Sequence, residues 1–181
     1  TVVITGGSQG MGLEAGRQLA KKGASIVIVA RNIDNLKSGI EYITKGASPP
    51  KTQRFHYVSA DLISEAGCVQ VMDEIEKWNG APPDIVWCLA GTSRPQLFID
   101  APAFSIETHM NNNYFSSAYI AHAILNRWLR PADGLPSKEQ GRPGDRHLIF
   151  TSSLAAIFPI SGYALYSPSK IALRALSDAL S

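Results

Sequence analysis

With only two cysteines among 181 residues, at 68 and 88, the chain has neither the material for a disulfide framework nor a C-x-x-C pair for zinc or redox chemistry. Its four histidines, His56, His109, His122 and His147, show no ligand-like spacing and read as surface or satisfied core residues, so no metal site is expected. Charged residues make up 18% and the net charge is +2, too little of either sign for a nucleic-acid-binding surface. No apolar run approaches the roughly 18 residues of a membrane-spanning helix, no signal peptide is visible, and no repeat of solenoid period exists. The chain also lacks an initiator methionine. It opens inside a strand pattern and closes on a helical one, and so reads as a piece cut at both ends.

What the chain does have is 45% hydrophobic residues, enough for one well-buried domain over 1–181. Short β-branched runs alternate with helix-length segments. Strands are expected at 2–4, 25–30, 55–60, 85–89 and 148–151. Helices are expected at 12–22, 35–45 and 65–78, with a long one at 105–130 and a last one from about 163 to the end. The run S-I-V-I-V-A at 25–30 has no polar alternation, which marks a strand covered on both faces. The order predicts an α/β fold with a doubly wound parallel sheet. The segment P-A-D-G-L-P-S-K-E-Q-G-R-P-G-D-R at 131–146 reads as a solvated loop.

Two motifs carry chemistry. The first, Thr5-Gly6-Gly7-Ser8-Gln9-Gly10-Met11-Gly12, lies between the first strand and the first helix. Glycines there let the chain turn tightly and approach a pyrophosphate, whose charge falls on the helix N-terminus. The second is Tyr166-Ser167-Pro168-Ser169-Lys170. Residues four apart share a helix face, and Pro168 fits only in a first turn. An ammonium beside a phenol favours phenolate, which makes Tyr166 a candidate acid/base. Each motif is weak alone; together they are specific.

The pair resembles the short-chain dehydrogenase/reductase family, in which a serine thirteen residues before the tyrosine completes the catalytic set. Ser153 holds that position. The resemblance implies a Rossmann fold with Gly6, Ser8, Gln9, Gly10, Met11 and Gly12 around a dinucleotide, and Asp61 with Leu62 beside its adenine. Ala90 and Gly91 stand where the family has the end of N-N-A-G, although this chain reads Cys88-Leu89-Ala90-Gly91, so another group must replace the asparagine in holding the sheet. It further implies that Asn113, the third of three consecutive asparagines, kinks the long helix and anchors a proton-relaying water. Tyr166 and Lys170 would touch the nicotinamide ribose.

The end of the second strand chooses the cofactor. An NAD enzyme places an acid there, whereas this chain has Ala30 followed by Arg31. A guanidinium suits a 2′-phosphate, so NADPH is expected, with Arg31 as main contact and Ser8 and Asn32 assisting. Asp34 is assigned to the start of the second helix.

The apolar loop L-A-A-I-F-P-I-S-G-Y-A-L at 154–165 is consistent with a lipid-like ketone. A narrower resemblance within the family rests on G-G-S-Q-G-M-G, V-A-R-N at 29–32, N-Y-F at 113–115 and K-I-A-L-R-A-L-S-D-A-L at 170–180. It points to the reductases of long-chain 3-keto amines in sphingolipid synthesis. That implies the cytosolic face of the endoplasmic reticulum membrane, attachment through segments outside this chain, a homo-oligomer, and further strands after the last helix. That helix is expected to turn Ile171, Ala172 and Ala175 inward. Other readings are a carbonyl reductase for steroids, retinoids or β-ketoacyl chains, and a non-catalytic dinucleotide sensor.

Overall fold

The structure, a computed structural model, describes residues 1–48, 52–129 and 146–181. In β2 (Ile26–Ala30) the four residues from Ile26 to Val29 have no exposed surface. Such a run finds cover on both sides only inside a sheet. β2 lies between β1 (Val2–Thr5) and β3 (Phe55–Ser59); β1 pairs beyond with β4 (Ile85–Cys88), and β4 with β5 (His147–Phe150). All pairs are parallel, in the order β3-β2-β1-β4-β5. The order reverses between β1 and β4, and a crevice opens at the carboxyl ends of the strands at such a point.

Helices cover both faces, as the alternation predicts. Ile4, Ile26 and Ile28 pack with Ala20 of α1 (Gly10–Lys21) and with Leu36 and Ile43 of α2 (Ile33–Lys45). On the other face Val3, Val27, Val29 and Val86 meet Val71, Met72 and Ile75 of α3 (Glu65–Asn79), and Ile120 and Ile124 of α5 (Ser116–Leu129). Gly16 permits the close crossing of α1 and α2, since a Cβ there would lie 2.7 Å from Ile43 Cδ1. Cutting a core side chain such as Ile28 to alanine costs about 2–5 kcal/mol.

The long helix is interrupted. α4 (Phe104–Met110) runs into a π-turn over Asn111–Phe115 before α5 begins. Asparagine has low helix propensity, and the extra residue of a π-turn lets Asn113 point into the core, where it has no exposed surface. The bend expected at the asparagines is therefore a change of helical register.

The last helix, α6 (Tyr166–Ala179), starts three residues later than the sequence pattern suggests, and its inward face differs. Ser167, Ser169, Lys170 and Leu173 are buried, whereas Ile171 and Ala175 are exposed and Ala172 is half-buried. Polar contacts described below, rather than apolar periodicity, set this rotation.

Of the 131–146 segment only Arg146 is described; its guanidinium donates to the Trp128 carbonyl (2.9 Å), and the rest lies outside the described residues. Among the described residues no helix is long and apolar enough to cross a membrane, and no cluster could hold a metal ion. Cys68 and Cys88 are free and buried, and burial pushes both thiols up to about 12.

Candidate active site

A cleft of about 540 Å³ lies at the carboxyl ends of the strands. All twelve residues assigned to the dinucleotide outside the catalytic set line it: Gly6, Ser8, Gln9, Gly10, Met11 and Gly12 after β1, Arg31 and Asn32 after β2, Asp61 and Leu62 after β3, Ala90 and Gly91 after β4. The loop conformation requires its glycines. Gly6 has φ +68°, and a Cβ there would lie 2.9 Å from the Ala90 backbone; at Gly12 it would lie 2.5 Å from the Gly6 carbonyl oxygen. Gly10 has φ +53°, with open space where its side chain would be.

The start of α1 is open as well. Gln9 provides no side-chain cap and the first turn carries no acid. By contrast, Asn32 Oδ1 accepts the Asn35 N–H of α2 at 2.9 Å, and Ser64 Oγ accepts the Gly67 N–H of α3 at 3.2 Å, each with an acid in the first turn. Uncapped N–H groups with their partial positive charge, facing a space cleared by glycine, fit a pyrophosphate.

Arg31 is exposed at the cleft, and its carbonyl accepts from Ser59 Oγ (3.0 Å), which ties its backbone to β3. Asn32, expected as a helper, spends its side-chain oxygen on the cap and keeps only its amide nitrogen for a ligand. Asp34 sits in the first turn of α2, at the start of the helix as expected, and Asn32 is the cap.

The other end of the site is made of side chains. Thr5 Oγ1 accepts the Leu89 and Ala90 N–H groups (3.1 Å each), and so ties β1 to the chain after β4 where the family's asparagine is missing. Asn113 Oδ1 accepts the Thr92 N–H (2.8 Å). A Cβ on Gly91 would lie 2.7 Å from that oxygen and 3.6 Å from Lys170 Nζ, so Gly91 joins the cleft to the lysine. Lys170 is 5% exposed and donates to the Thr151 carbonyl (2.9 Å), with Nζ 6.0 Å from the centroid of the Tyr166 ring. Burial lowers its pKa from the ordinary lysine value. Half-buried Ser153 accepts the Ala155 N–H (3.1 Å) at the start of a 3-10 turn, which leaves its O–H to donate.

The structure thus gathers the twelve cleft residues together, and brings Asn113 and Lys170 against Gly91 at one end. The sequence reading missed Asn35, Thr92, Asn112 and Ser116, which also line the cleft. Asn35 could have been found from its place in the first turn after Arg31. Ser116 follows the π-turn and donates its hydroxyl to the Asn112 carbonyl (2.8 Å).

A family model described as short chain dehydrogenase matches residues 1–181. The chain is 47% identical over 182 aligned positions to the 3-ketodihydrosphingosine reductase of Aspergillus fumigatus, covering 100% of this chain and 49% of that protein. It therefore spans about half the length of the curated relative. Among solved structures, NAD+-bound xylitol dehydrogenase matches with a TM-score of 0.83 at 18% identity, over 99% of this chain and 62% of that one. An alcohol dehydrogenase from the archaeon Thermococcus sibiricus, complexed with 5-hydroxy-NADP, matches with a TM-score of 0.82 at 19% identity, over 99% and 69%. At these identities the likeness is one of fold.

Proposed function

The chain belongs to the short-chain dehydrogenase family, and from that premise we propose that it forms the cofactor-binding and catalytic part of an NADPH-dependent reductase of long-chain 3-keto amines, of the kind that turns 3-ketodihydrosphingosine into dihydrosphingosine. One observation carries the chemistry: buried Lys170, one helical turn from Tyr166, abuts the nucleotide cleft through Gly91. The keto amine is supported by the likeness to the Aspergillus fumigatus reductase.

The glycine loop and the open start of α1 hold the pyrophosphate, Asp61 and Leu62 flank the adenine, and Arg31 takes the 2′-phosphate. When bound, the cofactor supplies hydride to the ketone carbon. Ser153 donates its O–H to the carbonyl oxygen as negative charge develops there. Tyr166 gives that oxygen a proton, and the neighbouring Lys170 ammonium stabilises the charge left on the phenol oxygen. Lys170 would also hydrogen-bond the nicotinamide ribose of the bound cofactor. Asn113 holds the turn from which a water resupplies the proton.

The same reading takes the enzyme to work as a homo-oligomer at the cytosolic face of the endoplasmic reticulum membrane, attached by segments other than these. Cell fractionation and light scattering test those two points. The substrate is tested by NADPH consumption with 3-ketodihydrosphingosine beside a steroid ketone and a β-ketoacyl thioester. Turnover of the keto amine far above the others is expected; turnover of only the steroid or the thioester would overturn it.

A further inference from the structure

A serine outside the catalytic set fixes the one buried asparagine of the site. Ser169 is completely buried, and its hydroxyl accepts from Asn113 Nδ2 (3.1 Å) while donating to the Tyr166 carbonyl (2.6 Å). The direction of this chain is determined by chemistry. A carbonyl oxygen only accepts, so the Ser169 proton goes to Tyr166 and the Ser169 oxygen must receive the amide N–H of Asn113. That sets the Asn113 amide with its oxygen toward the Thr92 N–H, which it accepts at 2.8 Å. Three pieces far apart in sequence are thereby locked together: the loop after β4, the π-turn and the first turn of α6.

From this we infer that Ser169 is a positioning residue for the reaction: through Asn113 it sets the first turn of α6, with Tyr166 and Lys170, against the π-turn and the loop after β4. Without the hydroxyl, Asn113 Nδ2 is buried with no acceptor, and only the Thr92 N–H is left to orient the amide. Ser169 touches neither cofactor nor substrate in this role. The inference rests on the reading of Tyr166 and Lys170 as the acid/base pair, and the test keeps the two separable.

In the intact protein, Ser169→Ala should speed hydrogen exchange at the Thr92 amide by about tenfold, the size of one lost hydrogen bond. It should lower kcat by a similar factor while KM for NADPH stays unchanged. Combined with Asn113→Ala, it should add almost nothing to the effect of Asn113→Ala alone, because both remove the same tie. Thr92 exchange unchanged in Ser169→Ala, or kinetic effects that simply add, would overturn the inference. The exchange measurement needs no turnover, so it stands even if the wild-type protein fails to reduce a keto amine.

Discussion

At the end proposed for the phosphates the cleft is made of backbone: glycines at 6, 10 and 12, an uncapped helix start, and a single exposed arginine at the rim. At its catalytic end buried side chains hold the shape instead, with Asn113, Ser169 and Lys170 each 5% exposed or less and linked to the Thr92 N–H and the Thr151 and Tyr166 carbonyls. The difference follows from what each end must do. A pyrophosphate is held by N–H groups that every residue carries, and needs only that side chains stay out of the way. A proton is moved by a particular oxygen and nitrogen at fixed positions, which requires side chains whose own hydrogen bonds are complete. The first end tolerates most changes except at its glycines and at Arg31; the second tolerates few.

The largest effect expected from breaking this contrast is at Tyr166. Tyr166→Phe removes the proton donor and nothing from the phosphate end, so turnover should fall on the order of 10²–10⁴-fold while NADPH binding, followed by fluorescence titration, stays near the wild-type value. A variant keeping more than about a tenth of the rate would remove Tyr166 from the role of acid.

Arg31→Ala strikes the opposite end. It should weaken NADPH by about ten- to hundredfold, the range for a charge-assisted bond to phosphate, with NADH scarcely affected. Equal losses for both cofactors would show that Arg31 does not read the 2′-phosphate.

The smallest effect is on stability and concerns the cost of burying Lys170. Its folded pKa is lowered by burial, so between that value and the ordinary lysine value near 10.4 the unfolded chain binds more protons. The penalty is complete below the folded pKa and disappears as pH rises through that window. Lys170→Met has no such penalty. Its stability relative to wild type should therefore be most favourable near neutral pH and decline as pH approaches about 10.4, as measured by urea unfolding. A difference independent of pH would contradict the burial account.

The gathering of the glycine loop and Arg31 around one cleft was readable in the sequence because the pattern is local. Glycine spacing, the strand before it and the helix after it all lie within a dozen residues, and Arg31 follows its strand directly. The spacing of Tyr166 and Lys170 was readable for the same reason. The tie from Asn113 to Ser169 spans 56 residues, and no local pattern encodes it. The inward face of α6 was misread through the same gap: apolar periodicity favoured Ile171 and Ala175, whereas the hydrogen bonds of Ser169 and Lys170 turn the helix the other way.

The central claim is that hydride from NADPH reaches the ketone carbon of a long-chain 3-keto amine while this chain supplies the proton. It is tested most directly by offering NADPH deuterated at both C4 positions with 3-ketodihydrosphingosine, and recording the mass spectrum of the product. One deuterium, at C3 of dihydrosphingosine, is the predicted result. Dihydrosphingosine without deuterium, or deuterated cofactor left unconsumed, would contradict it.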